Sequence, residues 1–322
     1  WVLPQAPVAW CDQVAIPAAL RDLQADVFFS PYYKMPLHAP CPCAVTIHDL
    51  IPLTFPAYRR GSGRLRAVAF RVWAGVLARR AAAVATDSEH SRAEIAAVLD
   101  FPAARIHPIP LAAPREFRVG VPPQAVSRAL ERYRLPRPYL LTVTNFLPHK
   151  NLLRLVSAYE ALPAGLRQGT ALVLAGAPRG RGSARPVSPK ELARPGVHLP
   201  GFIEPPDLPV LYAGATALVF PSLAEGFGLP VLEAMACGTP VVCARAGALP
   251  EVGGEAVLYV DPSSVASITG GLEQVLTDAR LRQTLAASGL ERAKLFDATR
   301  TTARFLDLLE SLAGCGGRRG EP

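Results

Sequence analysis

The sequence predicts an α/β protein built on parallel sheets, with helices covering both faces of each sheet. Short β-type runs such as Ala171–Ala175 alternate with longer helical patterns along the chain. The β-type runs are almost continuously apolar, as is typical of strands that are buried on both faces. Half of the 322 residues are hydrophobic and 19% are charged, which excludes general disorder and supplies enough apolar material for two cores.

Each β-type run is predicted to form one strand. In chain order, the strands are Val27–Ser30, Ala44–His48, Ala83–Thr86, Arg105–Ile109, Tyr139–Thr144, Ala171–Ala175, Val197–Leu199, Ala217–Pro221, Pro240–Cys243 and Ala256–Val260. Helices are predicted where apolar residues recur at helical spacing. In chain order, they lie at 64–80, 90–99, 125–133, 151–162, 207–213, 229–237, 263–277, 279–293 and 299–312. This alternation favours parallel strands joined by helical crossovers.

The chain divides best at a proline-rich stretch that precedes the strand beginning at Tyr139. A new α/β unit starts with that strand, and the stretch before it has room for one short amphipathic helix. The expected division is an N-terminal domain at 1–120, a linker at 121–138, a C-terminal domain at 139–296, a final helix at 297–313 and a flexible Gly/Arg tail at 314–322.

Charge and cysteine content narrow the class of protein. The 34 basic and 26 acidic side chains give a net charge of +8, which is compatible with nucleic acid, anionic lipid or a phosphorylated ligand and selects none of them. No apolar run reaches the ~18 residues of a membrane span. The six cysteines are scattered, and Cys41-Pro-Cys43 lacks the second pair of a zinc site, so we expect reduced thiols in the cytoplasm.

The most informative segment runs from Ala217 to Ala244 and reads ALVFPSLAEGFGLPVLEAMACGTPVVCA. It predicts a strand, a loop with two glycines, a helix beginning near Pro230 and a second buried strand. Glu225 in the loop and Glu233 in the helix would border the carboxyl end of a strand, where open parallel sheets bind ligands. The helix start suits a phosphate, and carboxylates accept hydrogen bonds from sugar hydroxyls. The segment favours a nucleotide sugar, although either glutamate alone would also fit a solvated helix start.

Several segments follow one another in an order that is specific to one family. They read HDLIPLTFP, ATDSEHSRAEI, TVTNFLPHKNLLRLVSAYEAL, GFIEPPDLPVLYAGATALVFPS, EGFGLPVLEAMACGTPVV and LPEVGGEAVLYVDP. The fifth is similar to the Glu-x7-Glu signature of retaining glycosyltransferases with the GT-B fold, and the second to the "vSefSr" helix start of that family. The chain therefore resembles family 4 glycosyltransferases over about residues 25–310, and looks most like bacterial mannosyltransferases of cell-surface polysaccharide assembly.

The resemblance implies two Rossmann-like domains that face a central cleft, with a nucleotide-sugar donor held by the C-terminal one. It implies that Glu225 binds hydroxyls of the donor sugar, that Glu233 binds the ribose and that Lys150 pairs with the diphosphate. The other donor-binding positions that it implies are Asn145, Phe202, Ile203, Gly226, Phe227, Gly228 and Leu229. Asn145 stands where many relatives carry an arginine, and so does His149, which weakens the expected positive charge.

The catalytic residues implied by the resemblance are His48, Glu225 and Lys150. In the family, this histidine contacts the donor sugar near the reacting centre, although a structural histidine and a surface lysine would fit the local sequence as well. The implied mechanism is retaining and assigns no protein nucleophile, so Lys150 and the helix start would stabilise charge on the leaving phosphate. We expect GDP-mannose as donor, a saccharide or lipid-linked saccharide as acceptor, no other cofactor and no metal.

Two departures from the family pattern leave alternatives open. First, nothing before Val27 resembles the first strand and glycine-rich loop of the family, so we expect a truncated N-terminal domain. Second, the tryptophan that the family usually has next to the position of Phe296 is missing. A GT-B enzyme that hydrolyses or epimerises nucleotide sugars is one alternative, and a degenerate nucleotide-binding domain without turnover is another. A P-loop is excluded because no Gly-Lys-Ser/Thr occurs.

The segment Arg59–Arg80 carries seven arginines and no acidic residue, with Phe70, Trp73, Val76 and Leu77 at helical spacing. It predicts either a helix that docks on anionic lipid, or a solvated helix whose apolar face packs on the first sheet. Nucleic acid is not expected, because no aromatic–basic module accompanies the net charge. We expect a cytoplasmic protein, which would be peripheral on the inner face of the membrane if this helix binds lipid.

Overall fold

The computed structural model describes residues 11–59, 63–178 and 185–316. Its strands are β1 (Phe28–Ser30), β2 (Cys43–Thr46), β3 (Ala83–Thr86), β4 (Ile106–Pro108), β5 (Tyr139–Val143), β6 (Ala171–Ala175), β7 (Val197–Gly201), β8 (Ala217–Phe220), β9 (Val241–Ala244) and β10 (Leu258–Val260). Its helices are α1 (Asp12–Asp22), α2 (Ile51–Thr54), α3 (Gly63–Arg80), α4 (Glu89–Leu99), α5 (Pro123–Tyr133), α6 (Leu152–Glu160), α7 (Ala164–Gly169), α8 (Pro189–Leu192), α9 (Leu208–Gly214), α10 (Leu229–Ala236), α11 (Leu249–Gly253), α12 (Val265–Thr277), α13 (Ala279–Ala293) and α14 (Ala298–Gly316).

The strands form two sheets, and all the described pairings are parallel. The first sheet has the order β1-β2-β3-β4, and the second has the order β7-β6-β5-β8-β9-β10. The second order is the Rossmann order, in which the direction of strand addition reverses between β5 and β8. A crevice opens at the carboxyl ends of the strands at such a reversal. The prediction of a parallel α/β protein is confirmed, and the reversal locates its ligand crevice.

Apolar side chains cover both faces of the second sheet, as the continuous apolar runs predict. Leu172 and Leu174 pack with α6 and α12 on one face, and Leu141 and Val173 pack with α9 and α10 on the other. Residues alternate between the two faces along a strand, so each strand contributes to two cores. This double burial holds the strand ends rigidly at the crevice.

The final helix returns from the second domain to the first. Phe305 and Leu308 of α14 pack against Ala83, Ala85 and Ile109, on the face of the first sheet opposite α3 and α4. The helix extends to Gly316, beyond the boundary expected at 313, and residues 317–322 of the expected tail lie outside the described ranges. Within those ranges, no helix is both long and apolar enough to span a bilayer.

The proline-rich stretch at 121–138 packs as part of the C-terminal domain. It contains α5, whose Ala129 joins the same core as Leu211 and Tyr212. Tyr133 and Arg132 each donate a hydrogen bond to Oδ2 of Asp207, at 2.7 Å. An amphipathic helix needs a surface to cover, and α9 provides it. The stretch is therefore part of the C-terminal domain and does not act as a linker between the domains.

Several short helices are absent from the sequence prediction, namely α1, α2, α7, α8 and α11. Most of them have proline in their first turn and span one turn or little more, so their apolar periodicity is too short to recognise. The strand β2 ends at Thr46, two residues before the predicted end at His48.

Gly176 directly follows β6 with φ +132°, and a Cβ atom there would overlap the carbonyl oxygen of Thr144. We expect Gly176→Ala to lower the free energy of unfolding by at least about 2 kcal/mol more than Gly201→Ala. Gly201 has φ +81° with open space around it, so it controls for backbone strain alone. Urea unfolding of both variants would measure the difference, and equal losses would contradict the steric argument.

Candidate active site

A cavity of about 320 Å³ lies at the strand-order reversal of the second sheet. The ends of β5 and β6 form one wall, and the starts of α9 and α10 form another. Its lining includes Asn145, Lys150, Gly176, Phe202, Ile203, Leu208 and Pro230. Four of the sequence-predicted donor-binding residues, Asn145, Lys150, Phe202 and Ile203, therefore line one cavity. Phe202 is half-exposed and Ile203 is buried, so the rim of the cavity is apolar on this side.

Lys150, which lines this cavity, forms a nearly buried ion pair with Glu225. Nζ of Lys150 lies 2.6 Å from Oε1 of Glu225, and the two side chains are 13% and 10% exposed. Nζ also lies 4.9 Å from the ring centre of Phe220, at the end of β8. Two opposite charges so removed from water stabilise each other much more than an exposed pair would. The pair places one cation and one carboxylate where a ligand could contact both.

The turn that carries Lys150 is fixed by the residue after it. Asn151 adopts a left-handed conformation with φ 60°, and its side-chain amide donates hydrogen bonds to the carbonyls of Pro221 and Pro262. Asparagine is one of the few residues other than glycine that tolerate this conformation. Asn151 thereby ties the start of α6 to the ends of β8 and β10, and this holds Lys150 beside the Glu225 loop.

The loop of Glu225 is clamped on both sides, and only glycine fits at three of its contact points. A Cβ on Gly226 would come within 2.8 Å of Asp49 and of the His48 carbonyl, and one on Gly228 within 2.6 Å of Leu249. A Cβ on Gly247 would come within 2.6 Å of the Glu225 carbonyl. The glycines are therefore needed for close packing of this loop between the two domains.

The side chains of Phe227 and Leu229 pack in the core, so only their backbone groups could face a ligand. The Phe227 ring is buried and packs edge-on against Phe296, with ring centres 5.8 Å apart. Leu229 is the first residue of α10 and packs against the same core. The backbone N–H groups around Gly228 begin the helix, whose positive end suits a phosphate.

Glu233 lies on the face of α10 that borders the cavity, three residues after Pro230. Its Oε2 accepts a 2.8 Å hydrogen bond from the fully buried hydroxyl of Tyr212, which in turn lies four residues after Leu208 on α9. Burial raises the pKa of Glu233, and the Tyr212 hydrogen bond partly offsets that rise. The hydrogen bond orients the carboxyl group and leaves its other oxygen to a ligand.

His48 comes two residues after β2, and its ring contacts the carboxylate of Asp87, which no sequence motif marks. Nδ1 of His48 lies 2.9 Å and 3.1 Å from the two carboxylate oxygens of Asp87. The hydrogen bond to Asp87 raises the pKa of His48, against the lowering effect of its partial burial. The sequence signal for Asp87 is its position directly after β3, the strand next to β2.

The two domains meet through the start of α4. Ser88 caps this helix, as its position predicts, and its hydroxyl also donates to the Gly226 carbonyl at 2.7 Å. The Ser91 hydroxyl lies 3.1 Å from the same carbonyl. Glu251 of α11 accepts hydrogen bonds from the backbone N–H groups of Glu89 and His90. The Glu225 loop is thus held by the N-terminal domain, which no local sequence pattern indicates.

A second contact between the domains joins Tyr58 and His149. The Tyr58 hydroxyl lies 2.9 Å from Nδ1 of His149, next to the ring of Phe55. Burial and the neighbouring Lys150 lower the pKa of His149 to about 4, so the imidazole is neutral near pH 7 and accepts the hydrogen bond. His149 therefore adds no positive charge to the site near neutral pH.

Solved structures share this architecture. The chain superposes on sucrose-phosphate synthase from Thermosynechococcus elongatus with a TM-score of 0.76 and 22% identity, over 94% of this chain and 77% of that one. It superposes on HepE from Anabaena in complex with UDP-glucose with a TM-score of 0.75 and 18% identity, over 93% and 82%. These likenesses show the GT-B fold, so the expected pair of Rossmann-like domains facing a cleft is confirmed.

Two known families match this chain. The family described as "Glycosyl transferases group 1" matches residues 127–292, and "Glycosyl transferase 4-like domain" matches residues 3–112. The chain belongs to the group 1 glycosyltransferases, family 4, and it is a glycosyltransferase. The family resemblance of the motif segments is confirmed.

Two curated relatives are mannosyltransferases. "O-antigen chain mannosyltransferase B" from Escherichia coli is 33% identical over 296 residues, which are 91% of this chain and 76% of that protein. "Serotype-specific mannosyltransferase WbdA" from Escherichia coli is 32% identical over 281 residues, which are 86% of this chain and 34% of that protein. The chain therefore spans most of the first relative and about a third of the second.

The buried neutral state of His149 makes stability depend on pH. In the unfolded chain, His149 binds a proton below its ordinary pKa of about 6.5. In the folded chain, it binds this proton only near pH 4. Stability is therefore lost as the pH falls. Between pH 7 and pH 5, we expect the wild type to lose about 2 kcal/mol more than His149→Gln, by urea unfolding. His198→Gln, a histidine on β7, should behave as the wild type, and an identical loss in all three proteins would refute this account.

Proposed function

We propose that the chain transfers a mannosyl residue from GDP-mannose, with retention of configuration, to a saccharide or lipid-linked saccharide in cell-surface polysaccharide synthesis. The observation that carries the proposal is the Lys150–Glu225 pair, whose lysine lines the cavity at the strand-order reversal. The names of the two curated relatives support mannose as the sugar and the O-antigen as the type of product.

In this proposal, the bound donor replaces the contact between Lys150 and Glu225, and each of the two side chains contacts a different group of the donor. The ammonium group of Lys150 turns to the diphosphate, and the Glu225 carboxylate accepts hydrogen bonds from sugar hydroxyls. The free protein keeps both charges neutralised until the donor arrives, which avoids leaving an unpaired charge away from water. The negative charge on the leaving nucleoside diphosphate then grows beside Lys150 and the start of α10.

Glu233 completes the donor site at the ribose. The Tyr212 hydroxyl already occupies one of its oxygens, so the ribose hydroxyls donate to the other. Only the ionised carboxylate offers its full set of acceptors, and burial raises the pKa of this group. Donor affinity should therefore weaken on acidification sooner than for an ordinary exposed glutamate. Phe202 and Ile203 would flank the base at the apolar rim.

The proposed reaction uses no metal ion, because Lys150 and the helix start supply the positive potential at the diphosphate. Among the described residues, no three His, Cys, Asp or Glu side chains are grouped as a metal site. Metal independence remains a prediction, and an assay in excess EDTA tests it directly.

The experiment that tests the proposal measures nucleoside diphosphate release and acceptor glycosylation with GDP-mannose, UDP-glucose and ADP-glucose. We expect turnover with GDP-mannose that persists in EDTA, and a fall in kcat of about 100-fold or more in Lys150→Met. Glu225→Gln should fall comparably. The double variant Lys150→Met/Glu225→Gln removes both charges together, so it should fold with near-normal stability and remain inactive.

The matched control is the exposed pair Lys294–Glu291, whose Nζ and Oε1 also lie 2.6 Å apart. Lys294→Met and Glu291→Gln should leave kcat unchanged. Full activity in Lys150→Met would overturn the proposed donor site. Release of GDP with free mannose in the presence of acceptor would instead identify a hydrolase, and donor binding without turnover would identify a degenerate domain.

The proposal extends to contact with an anionic membrane through the outer face of α3. Leu65, Val68 and Val72 are 78%, 56% and 62% exposed on this face, and Arg64 and Arg71 are exposed among them. Phe70 and Trp73 pack towards the first sheet, and Leu77 is buried in its core. The inner face therefore fits the packed-helix alternative, and the outer face combines the exposed apolar and basic residues that anionic lipid attracts. Arg60 and the side chain of Arg66 lie outside the described residues.

We expect Arg64→Glu/Arg71→Glu to lose at least about 90% of binding to vesicles that contain phosphatidylglycerol, because each basic residue near the surface contributes about 1 kcal/mol. Vesicle co-sedimentation measures the loss. Arg128→Glu/Arg280→Glu makes the same change in net charge at exposed positions on α5 and α13 and should bind as the wild type. Equal loss in both double variants would indicate attraction by net charge alone and would contradict a docking face.

A further inference from the structure

We propose that Asp87 is a positioning residue for sugar transfer, which holds the His48 ring so that Nε2 offers a hydrogen-bond donor to the donor substrate. The inference rests on the proposed function, because it takes the ligand beside His48 to be a nucleotide sugar. It adds a residue whose role no motif of the chain indicates.

The register of the first sheet builds this His–Asp pair. Strands β2 and β3 are parallel, with Thr46 opposite Ala85. The backbone pairing continues past the strand ends, since the Ile47 N–H donates to the Ala85 carbonyl. His48 and Asp87 each come two residues after that matched pair, so they face each other at the carboxyl edge of the sheet. Two neighbouring strands thus determine the contact, and loop conformation contributes little to it.

One nitrogen of the His48 ring, Nδ1, is occupied by its hydrogen bond to Asp87. Nδ1 lies within hydrogen-bond distance of both carboxylate oxygens of Asp87, so it carries its proton and donates. The Asp87 side chain is 8% exposed, and among the described residues its one ion pair is with His48. The His48 side chain is 40% exposed. The remaining nitrogen, Nε2, has no side-chain partner among the described residues, and the Pro31 carbonyl is a backbone acceptor beside the ring. Nε2 is therefore the nitrogen that a ligand oxygen can reach.

The groups around the ring favour its cationic form. Besides Asp87, the Asp49 carboxylate on the same segment and the Pro31 carbonyl after β1 raise the pKa of His48, whereas partial burial lowers it. The Tyr33 hydroxyl lies near the Asp49 backbone and stays protonated, because burial raises its pKa. Glu225, across the cleft, is close enough to raise the pKa of Asp49. All the charged groups that act on His48 in this way are acidic, so they favour the cationic form of the ring, in which Nε2 also carries a proton.

The position of His48 brings this donor to the reaction. Its backbone carbonyl accepts a hydrogen bond from Ser91, and it would meet a Cβ on Gly226, next to Glu225. A protonated Nε2 there can donate to a phosphate oxygen of the donor, whose negative charge grows as the glycosidic bond breaks. The hydrogen bond stabilises that charge and no proton is transferred. Without Asp87, the ring would lose both its orientation and part of its charge.

The chain also departs from the family pattern at this position. The segment ATDSEHSR has Asp87 where the "vSefSr" pattern has valine. A valine could not accept a hydrogen bond from Nδ1. The stabilisation of the His48 cation by a neighbouring carboxylate is therefore a property of chains that carry an acidic residue here.

Two variants separate charge from orientation. Asp87→Asn keeps an acceptor for Nδ1 and removes the charge, and Asp87→Ala removes both. We expect the NMR titration midpoint of His48 to fall by about one pH unit in Asp87→Asn, and the alkaline limb of the kcat–pH profile to shift down with it. Asp87→Ala should in addition lower kcat about 10- to 100-fold at the optimum, as is typical when a group that orients a functional histidine is lost.

His107→Gln is the matched control, since His107 lies on β4 beside the same strand and should leave the profile unchanged. Thermal unfolding of each variant checks the fold. A titration midpoint and pH profile that Asp87→Asn leaves unmoved would overturn the inference, and so would a loss of stability in Asp87→Ala with an unchanged profile. The NMR titration needs no donor substrate. If no nucleotide sugar reacts, the proposed function fails, and the His48–Asp87 coupling is still measured.

Discussion

The site depends on the pairing of two charges that water scarcely reaches. Lys150 follows β5 and Glu225 follows β8, the two strands between which the strand order reverses, so the topology brings them to one crevice. Each charge would be costly alone at this depth, and together they are tolerated. The surrounding features serve this pair: the Asn151 amide fixes the lysine turn, and the glycines allow the glutamate loop to pack between the domains.

The N-terminal domain contacts the loop of the proposed donor site as well as facing it. The Gly226 carbonyl, one residue from Glu225, accepts from Ser88 and lies within reach of Ser91, and both belong to the first turn region of α4. Glu251 of the C-terminal domain also accepts hydrogen bonds from the backbone N–H groups at the same helix start. All these hydrogen bonds run from donors of the N-terminal domain to acceptors of the C-terminal domain, so the geometry of the Glu225 loop depends on the position of the other domain.

Much of this arrangement can be predicted from the sequence, and the contacts that cannot be predicted have a common cause. The strand–loop–helix around Glu225 follows from local chemistry, with Pro230 inside the helix start and Gly238 after its end. The contacts of Asp87 and His149 are different, because their partners His48 and Tyr58 are 39 and 91 residues away in the chain. Strand register and domain packing create those contacts, and no local pattern records either. The prediction of a linker at 121–138 fails for the same reason, because α5 lies where it can pack against α9.

The packing of α5 and α14 also determines where the molecule can bend. Ile109 packs with the first domain and Leu111 with the second, so the chain first crosses between domains at Pro110. It crosses back at the start of α14, where the Thr301 hydroxyl donates to the Pro110 carbonyl at 2.7 Å. The two crossings are therefore tied together by a hydrogen bond, side by side. Any opening of the cleft would turn about a single hinge at this bond, and a residue there would influence turnover without approaching the sugar.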